Sequence, residues 1–140
     1  MRKAGIMLII QDGLILAISR RYNKMVFGLP GGSFDSSLGD ITPIDTACRE
    51  TREETGLVVK QAHFIYQRVE LGDGANQVDF ESYCYYATQW EGEPKDSEEG
   101  TVKWLTAEEV TSTKAAFGGY NRAMLDVFKT KFPHVYIKGE

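Results

Sequence analysis

The chain has 140 residues, 42% of them hydrophobic, which suits a single domain over residues 1–140 that closes its own core without disulfides. A net charge of −4 excludes nucleic-acid binding through bulk positive charge, so any phosphate contact has to be local. Cys48 and Cys84 sit far apart in apolar segments and read as reduced, and no apolar run approaches the roughly 20 residues that span a bilayer, so a soluble protein of the cytoplasm is expected.

The opening stretch MRKAGIMLIIQDG has basic and then apolar residues but no small-residue cleavage site, and reads as a strand running into a turn. GIMLII and LILAIS on either side of QDG form a hairpin pattern. RRYNKMVFGLPGGSFDSSLGD then breaks into loop chemistry. Thr42 as cap, Pro43 in first position, Asp45 in the first turn and Gly56 as stop predict a helix of about 13 residues. LVV, AHFIYQRVEL and VDFESYCYYATQW are strand-like, with GDGANQ as a turn between the last two. EGEPKDSEEG is a polar loop, TVKWLT a short strand, TAEEV a helical turn, and YNRAMLDVFKTKF a helix with Met124, Leu125 and Phe128 on one face. This order predicts a mixed sheet with helices packed on it.

The helix carries the chemistry. At about 100° per residue, Glu53 and Glu54 flank Glu50 at roughly 60° and 40°, so three carboxylates share one face. That face borders Ile44, Ala47, Cys48 and Thr51, the buried sector. Like charges three and four apart disfavour a helix. Arg49 can hold one carboxylate but cannot offset three, whereas a hard divalent cation such as Mg²⁺ takes several together with substrate phosphates. Taken alone the stripe also suits a charged surface helix. Pro30, Gly31 and Gly32 just before it supply a tight turn whose bare backbone can approach a ligand.

RETREETGL at 49–57 and the LPGG lead-in resemble the Nudix hydrolases. Their signature runs Gly, five residues, Glu, seven residues, then Arg-Glu-Xaa-Xaa-Glu-Glu-Xaa-Gly and an aliphatic residue. The order of segments, through VKWLTAEEV, is similar over most of the chain. Sixteen residues separate Gly32 from Arg49, three more than in the signature, and Asp40 is the nearest counterpart of its first glutamate. Thr51 stands where a more apolar residue is usual.

The resemblance implies an α+β fold, a Nudix-type α/β/α sandwich with a mixed sheet. It implies that Glu50, Glu53 and Glu54, with the Gly32 carbonyl, bind Mg²⁺ or Mn²⁺, while Arg49 orients a carboxylate. Glu53 or Glu50 would be the general base, with Glu98 and Glu99 of SEEG as candidate base or extra ligand, or plain loop charge. Arg20 and Arg21 are placed to clamp phosphates or to lie on the surface, and Phe27 to stack on a base or to join the core. WEGEP and FGGYN are similar to MutT-type members that cleave nucleoside triphosphates to monophosphate and pyrophosphate. Asn121 there would read the base or simply cap the last helix. Dinucleoside polyphosphates, nucleotide sugars and a non-catalytic nucleotide-binding module are the alternatives. The partner expected is a small-molecule nucleotide, with no nucleic acid and no membrane, for a monomer or homodimer.

Overall fold

The computed structural model describes residues 1–71 and 79–140. Asp12 and Gly13 both take positive φ (53° and 78°), the geometry of a tight hairpin turn, and join strand β2 (Ile10–Gln11) to β3 (Leu14–Arg20). The apolar run before the turn is longer than this hairpin uses. Its first part, β1 (Arg2–Leu8), belongs to a different sheet, and Met7, Leu8, Ile9 and Ile10 are all buried as the chain passes between the two.

The stretch after Arg20 corrects the loop reading, because it holds two strands. β4 (Asn23–Gly28) pairs antiparallel with β3, and β5 (Gly31–Ser33) with β1. Glycine is scarce in strands, so composition hides them. Pro30 has no N–H to give, yet its carbonyl accepts from Met7 N–H (2.9 Å) where the chain crosses between sheets. The longer loop that follows is a single 3₁₀ turn over Ser36–Leu38, capped by Asp35, whose carboxylate accepts from Ser37 N–H (2.9 Å).

Helix α1 (Pro43–Thr55) occupies the 13 residues its caps predict. β6 (Val58–Glu70) and β7 (Phe80–Glu91) form a long antiparallel pair, and the expected GDGANQ turn lies outside the described residues. β8 (Val102–Leu105), the helical turn α2 (Ala107–Val110) and α3 (Gly118–Lys131) complete the order, with α3 starting two residues ahead of Tyr120.

The first sheet runs β5-β1-β7-β6 and is mixed, since β1 and β7 are parallel. In the second, β3 is central. Ile15 pairs with both Ile10 and Leu105, and Ile18 with both Gly28 and Val102, so β8 lies along one edge and β2 with β4 along the other. Strand alternation splits the core between the faces of the mixed sheet. Met7 and Tyr85 join Ala47 of α1, while Leu8 and Cys84 join Met124, Leu125 and Phe128 of α3. The result is the expected α+β arrangement of helix, mixed sheet and helix. Among the described residues no helix is long and apolar enough to cross a membrane.

Candidate active site

α1 starts where Asp45 folds back, its carboxylate accepting from the N–H groups of Ile41 (2.9 Å) and Thr42 (3.0 Å), and stops at Gly56 with φ 83°. It lies directly on β1 because Gly5 has no side chain. A Cβ there would overlap the Pro43 carbonyl oxygen and come within 2.7 Å of Ala47 N. Thr51 and Thr55 are buried, but their hydroxyls donate to the carbonyls of Ala47 and Thr51, both at 2.7 Å. Thr51 therefore replaces an apolar residue without leaving an unpaired polar group.

This seat brings the acidic face against β5. Gly32 is open on the side where Glu50 arrives, and a Cβ would stand 2.5 Å from the Glu50 carboxyl carbon. One turn on, Glu54 Oε1 accepts from Gly31 N–H at 2.9 Å. Glu53 is less constrained, with 43% of its side chain exposed and one bond to Arg49 Nη1 at 3.4 Å.

Arg49 does more than the sequence suggested, because Asp40 completes its fork. Nε and Nη2 donate to the two Asp40 oxygens (3.0 and 2.9 Å), Nη2 reaches the Ser33 carbonyl (3.3 Å), and Nη1 meets Glu50 (3.1 Å) and Glu53. Expecting Arg49 to hold one carboxylate undercounted its planar, many-donor group. Asp40, 5% exposed, also accepts from Asp35 N–H (3.0 Å) and the Thr46 hydroxyl (2.8 Å). The loop's three additional residues thus return an acid to the place where it locks Arg49.

The charge balance divides the acids. Arg49 holds the Asp40 carboxyl well below the usual carboxylate range, despite burial. Burial pushes Glu50 up, partly offset by Arg49 and reinforced by Glu53. Burial pushes Glu54 further, to about 8, against the Gly31 N–H bond, with Glu50 and Glu99 adding repulsion. Glu99 is the loop acid whose field reaches both, while Glu98 is exposed. The polar loop is docked on α1 by Lys95 N–H to the Thr55 carbonyl (2.9 Å) and the Ser97 hydroxyl to the Glu54 carbonyl (3.3 Å). Among the described residues, no three acidic, histidine or cysteine side chains are gathered tightly enough to hold a metal ion as they stand. The donor set nevertheless fits a hard cation in kind. Oxygen ligands with raised proton affinity are crowded beside a bare glycine backbone, and Arg49 is already committed.

On the other side of the Gly31–Gly32 step opens a cleft of about 270 Å³. Ala4, Ile6 and Leu29 give it an apolar floor, and Phe117, Tyr120 and Asn121 of the α3 start form its wall, with Arg20 beside them. Arg20 lies over the Phe117 ring at 5.4 Å. Asn121 is 3% exposed and is not the helix cap. It sits inside the first turn, and its Nδ2 donates to the carbonyls of Val110 (2.8 Å) and Ala116 (3.2 Å). Two substrate candidates lie outside this cleft, Arg21 on the acid side, within reach of the charges of Glu50 and Glu54. Arg21 is exposed and pairs with Glu99 (2.5 Å), and Phe27 lines a separate groove under Lys103 Nζ (5.0 Å). Arg20 and Arg21 are adjacent in sequence, but Arg20 is the last residue of β3 and Arg21 the first of the turn that follows.

Residues 1–127 match the family model of the NUDIX domain. The chain is a Nudix hydrolase. A MutT NUDIX hydrolase from Burkholderia pseudomallei shares 25% identity and a TM-score of 0.70, over 90% of this chain and 96% of that one. The E. coli ORF135 protein (18%, TM-score 0.73, 92% and 89% covered) shares the fold. So does the NUDIX domain of Shewanella oneidensis NrtR, a structure containing ADP ribose (18%, TM-score 0.70, 94% and 86% covered). As a Nudix hydrolase the protein acts on substrates with a nucleoside diphosphate linked to another group, and enzymes of this family generally use a divalent metal such as Mg²⁺. Sequence reasoning missed Tyr120 and Phe117 as cleft residues. The available signal was that Tyr120 stands four residues before Met124 and so extends the apolar stripe of α3 by a turn.

Proposed function

We propose that this Nudix hydrolase cleaves a nucleoside triphosphate to the monophosphate and pyrophosphate, with Mg²⁺ or Mn²⁺. The observation that carries this reading is the shared Gly31–Gly32 step, with acids on one side and an apolar, ring-lined cleft on the other. A nucleotide laid across it puts its base in the cleft and its phosphates over the acids. Glu50, Glu53, Glu54 and the Gly32 carbonyl would hold the cation, with Glu99 as the loop acid nearest in field. When bound, the cation neutralises the phosphates and makes water a stronger acid.

Glu53 takes the proton from the attacking water, since it is the most accessible of the three while Glu50 is held against Gly32 and Arg49. Water oxygen bonds to phosphorus as the bridging phosphorus–oxygen bond breaks, and pyrophosphate leaves. Arg49, locked by Asp40, keeps Glu50 and Glu53 in place. Arg20 supplies positive charge at the cleft mouth, and the Asn121 carbonyl oxygen faces the base, its amide being committed to backbone. A nucleotide sugar is the second reading, favoured by the ADP ribose bound to the NrtR domain.

A panel of nucleoside triphosphates, dinucleoside polyphosphates and nucleotide sugars, assayed with and without Mg²⁺ in ¹⁸O-labelled water, tests this. Label in the monophosphate or in pyrophosphate identifies the phosphorus attacked. Fastest turnover of a nucleotide sugar would replace the triphosphate reading, and turnover of none would remove both.

A further inference from the structure

Among the described residues, one buried side-chain oxygen or nitrogen lacks a hydrogen-bond partner, the Tyr120 hydroxyl, and Tyr120 lines the cleft. The ring is held on two sides. Tyr66 meets it edge-on, with centroids 5.3 Å apart, and the Arg68 guanidinium lies 6.0 Å from its centroid. Ser82 is the polar side chain opposite and close enough to offset part of the rise that burial gives the phenol, but its hydroxyl donates to the Arg68 carbonyl (3.4 Å) and stands outside hydrogen-bond geometry with Tyr120. Burial keeps the phenol protonated, above its ordinary range, so the oxygen carries a hydrogen to donate. Leaving such a group unpaired costs stability that a valine or leucine in the same place would not.

We propose that the Tyr120 hydroxyl determines specificity by donating a hydrogen bond to an acceptor on the edge of the base that enters the cleft. The ligand class is a nucleobase with a carbonyl oxygen or ring nitrogen at that edge. Tyr120 stands next to Asn121 in the first turn of α3, so the wall presents a donor beside an acceptor, and only a base with the complementary pair satisfies both. This rests on the nucleotide reading above, and Tyr120 takes no part in breaking the phosphate bond.

The test is Tyr120→Phe, which keeps the ring between Tyr66 and Arg68 and removes only the oxygen. Wild type and variant are assayed on the best nucleoside triphosphate of the panel and on the abasic ribose 5-triphosphate. The expected result is a roughly 10- to 100-fold loss of kcat/KM on the nucleotide, mostly in KM, with no loss on the abasic compound and an unchanged or higher Tm. An equal loss on both substrates, or none on either, overturns the proposal while hydrolysis itself continues. Failure of both enzymes to cleave any diphosphate compound instead overturns the function on which it rests.

Discussion

Helices α1 and α3 approach the same Gly31–Gly32 step from opposite faces of the mixed sheet, and they are built by different means. α1 is specified locally by a proline in first position, an acid that satisfies the orphan N–H groups and a glycine at the stop. α3 begins after Phe117 at φ 55°, with no side-chain cap, and its first turn is tied in by Asn121 to carbonyls 11 and 5 residues back. The first carries carboxyl groups whose spacing along the helix puts them on one face. The second carries cleft-lining groups that reach their place only once the sheet has formed. The proposed function thus puts bond breaking on the helix with little freedom, and choice of substrate on the one that tertiary packing positions.

The sharpest way to break that division is Glu53→Gln. Replacing the accessible acid of α1 should lower kcat by about 10²- to 10⁴-fold while nucleotide binding by calorimetry and the Tm stay near wild type. α3 variants should instead act on KM. Equal kcat losses from the two helices would end the comparison, and a wild type with no rate at all would leave a sensor.

Asp40→Asn tests whether α1 depends on the long loop. Asp40 and Arg49 form a nearly buried pair with side-chain exposures of 2% and 9%, and removing the Asp40 charge leaves the guanidinium Glu50, Glu53 and the Ser33 carbonyl. A loss of about 3 kcal/mol is expected in denaturant unfolding at neutral pH. The pH dependence follows from the depressed folded-state pKa of Asp40. The unfolded acid titrates near pH 4, so the pair's contribution is complete above that and is lost as pH falls toward the lower folded value. Wild type should therefore lose stability more steeply than Asp40→Asn below about pH 4, and parallel curves would show that the pair contributes nothing.

What was legible in the sequence follows the same division. The caps of α1, the sharing of one face by Glu50, Glu53 and Glu54, and the Asp12-Gly13 turn depend on neighbours a few residues apart, and all three are found. The β5 strand was hidden because Gly31 and Gly32 were taken as turn residues, whereas their bareness serves a strand pressed between β1 and Glu50. The spacing of Tyr120 from Met124 could have placed its ring on the buried face of α3, but not its unpaired hydroxyl, which is a property of what surrounds it. For Phe27 the sequence left base stacking and the core both open, and the path of β4 brings it to the groove under Lys103.

Arg21 supplies the smallest expected effect. Its side chain is 71% exposed and bonds Glu99 on the docked polar loop, outside the cleft that Arg20 lines. An exposed ion pair holds two flexible side chains at nearly the entropy it costs, so Arg21→Ala should leave the Tm unchanged. It also frees Glu99, the loop acid that adds repulsion to Glu50 and Glu54. If Arg21 only restrains that acid, kcat/KM stays within about threefold of wild type and the Mg²⁺ requirement shifts slightly. A loss above tenfold on the nucleotide and on ribose 5-triphosphate alike would make Arg21 a phosphate clamp. The site would then need a third contributor, β3, beside the two helices.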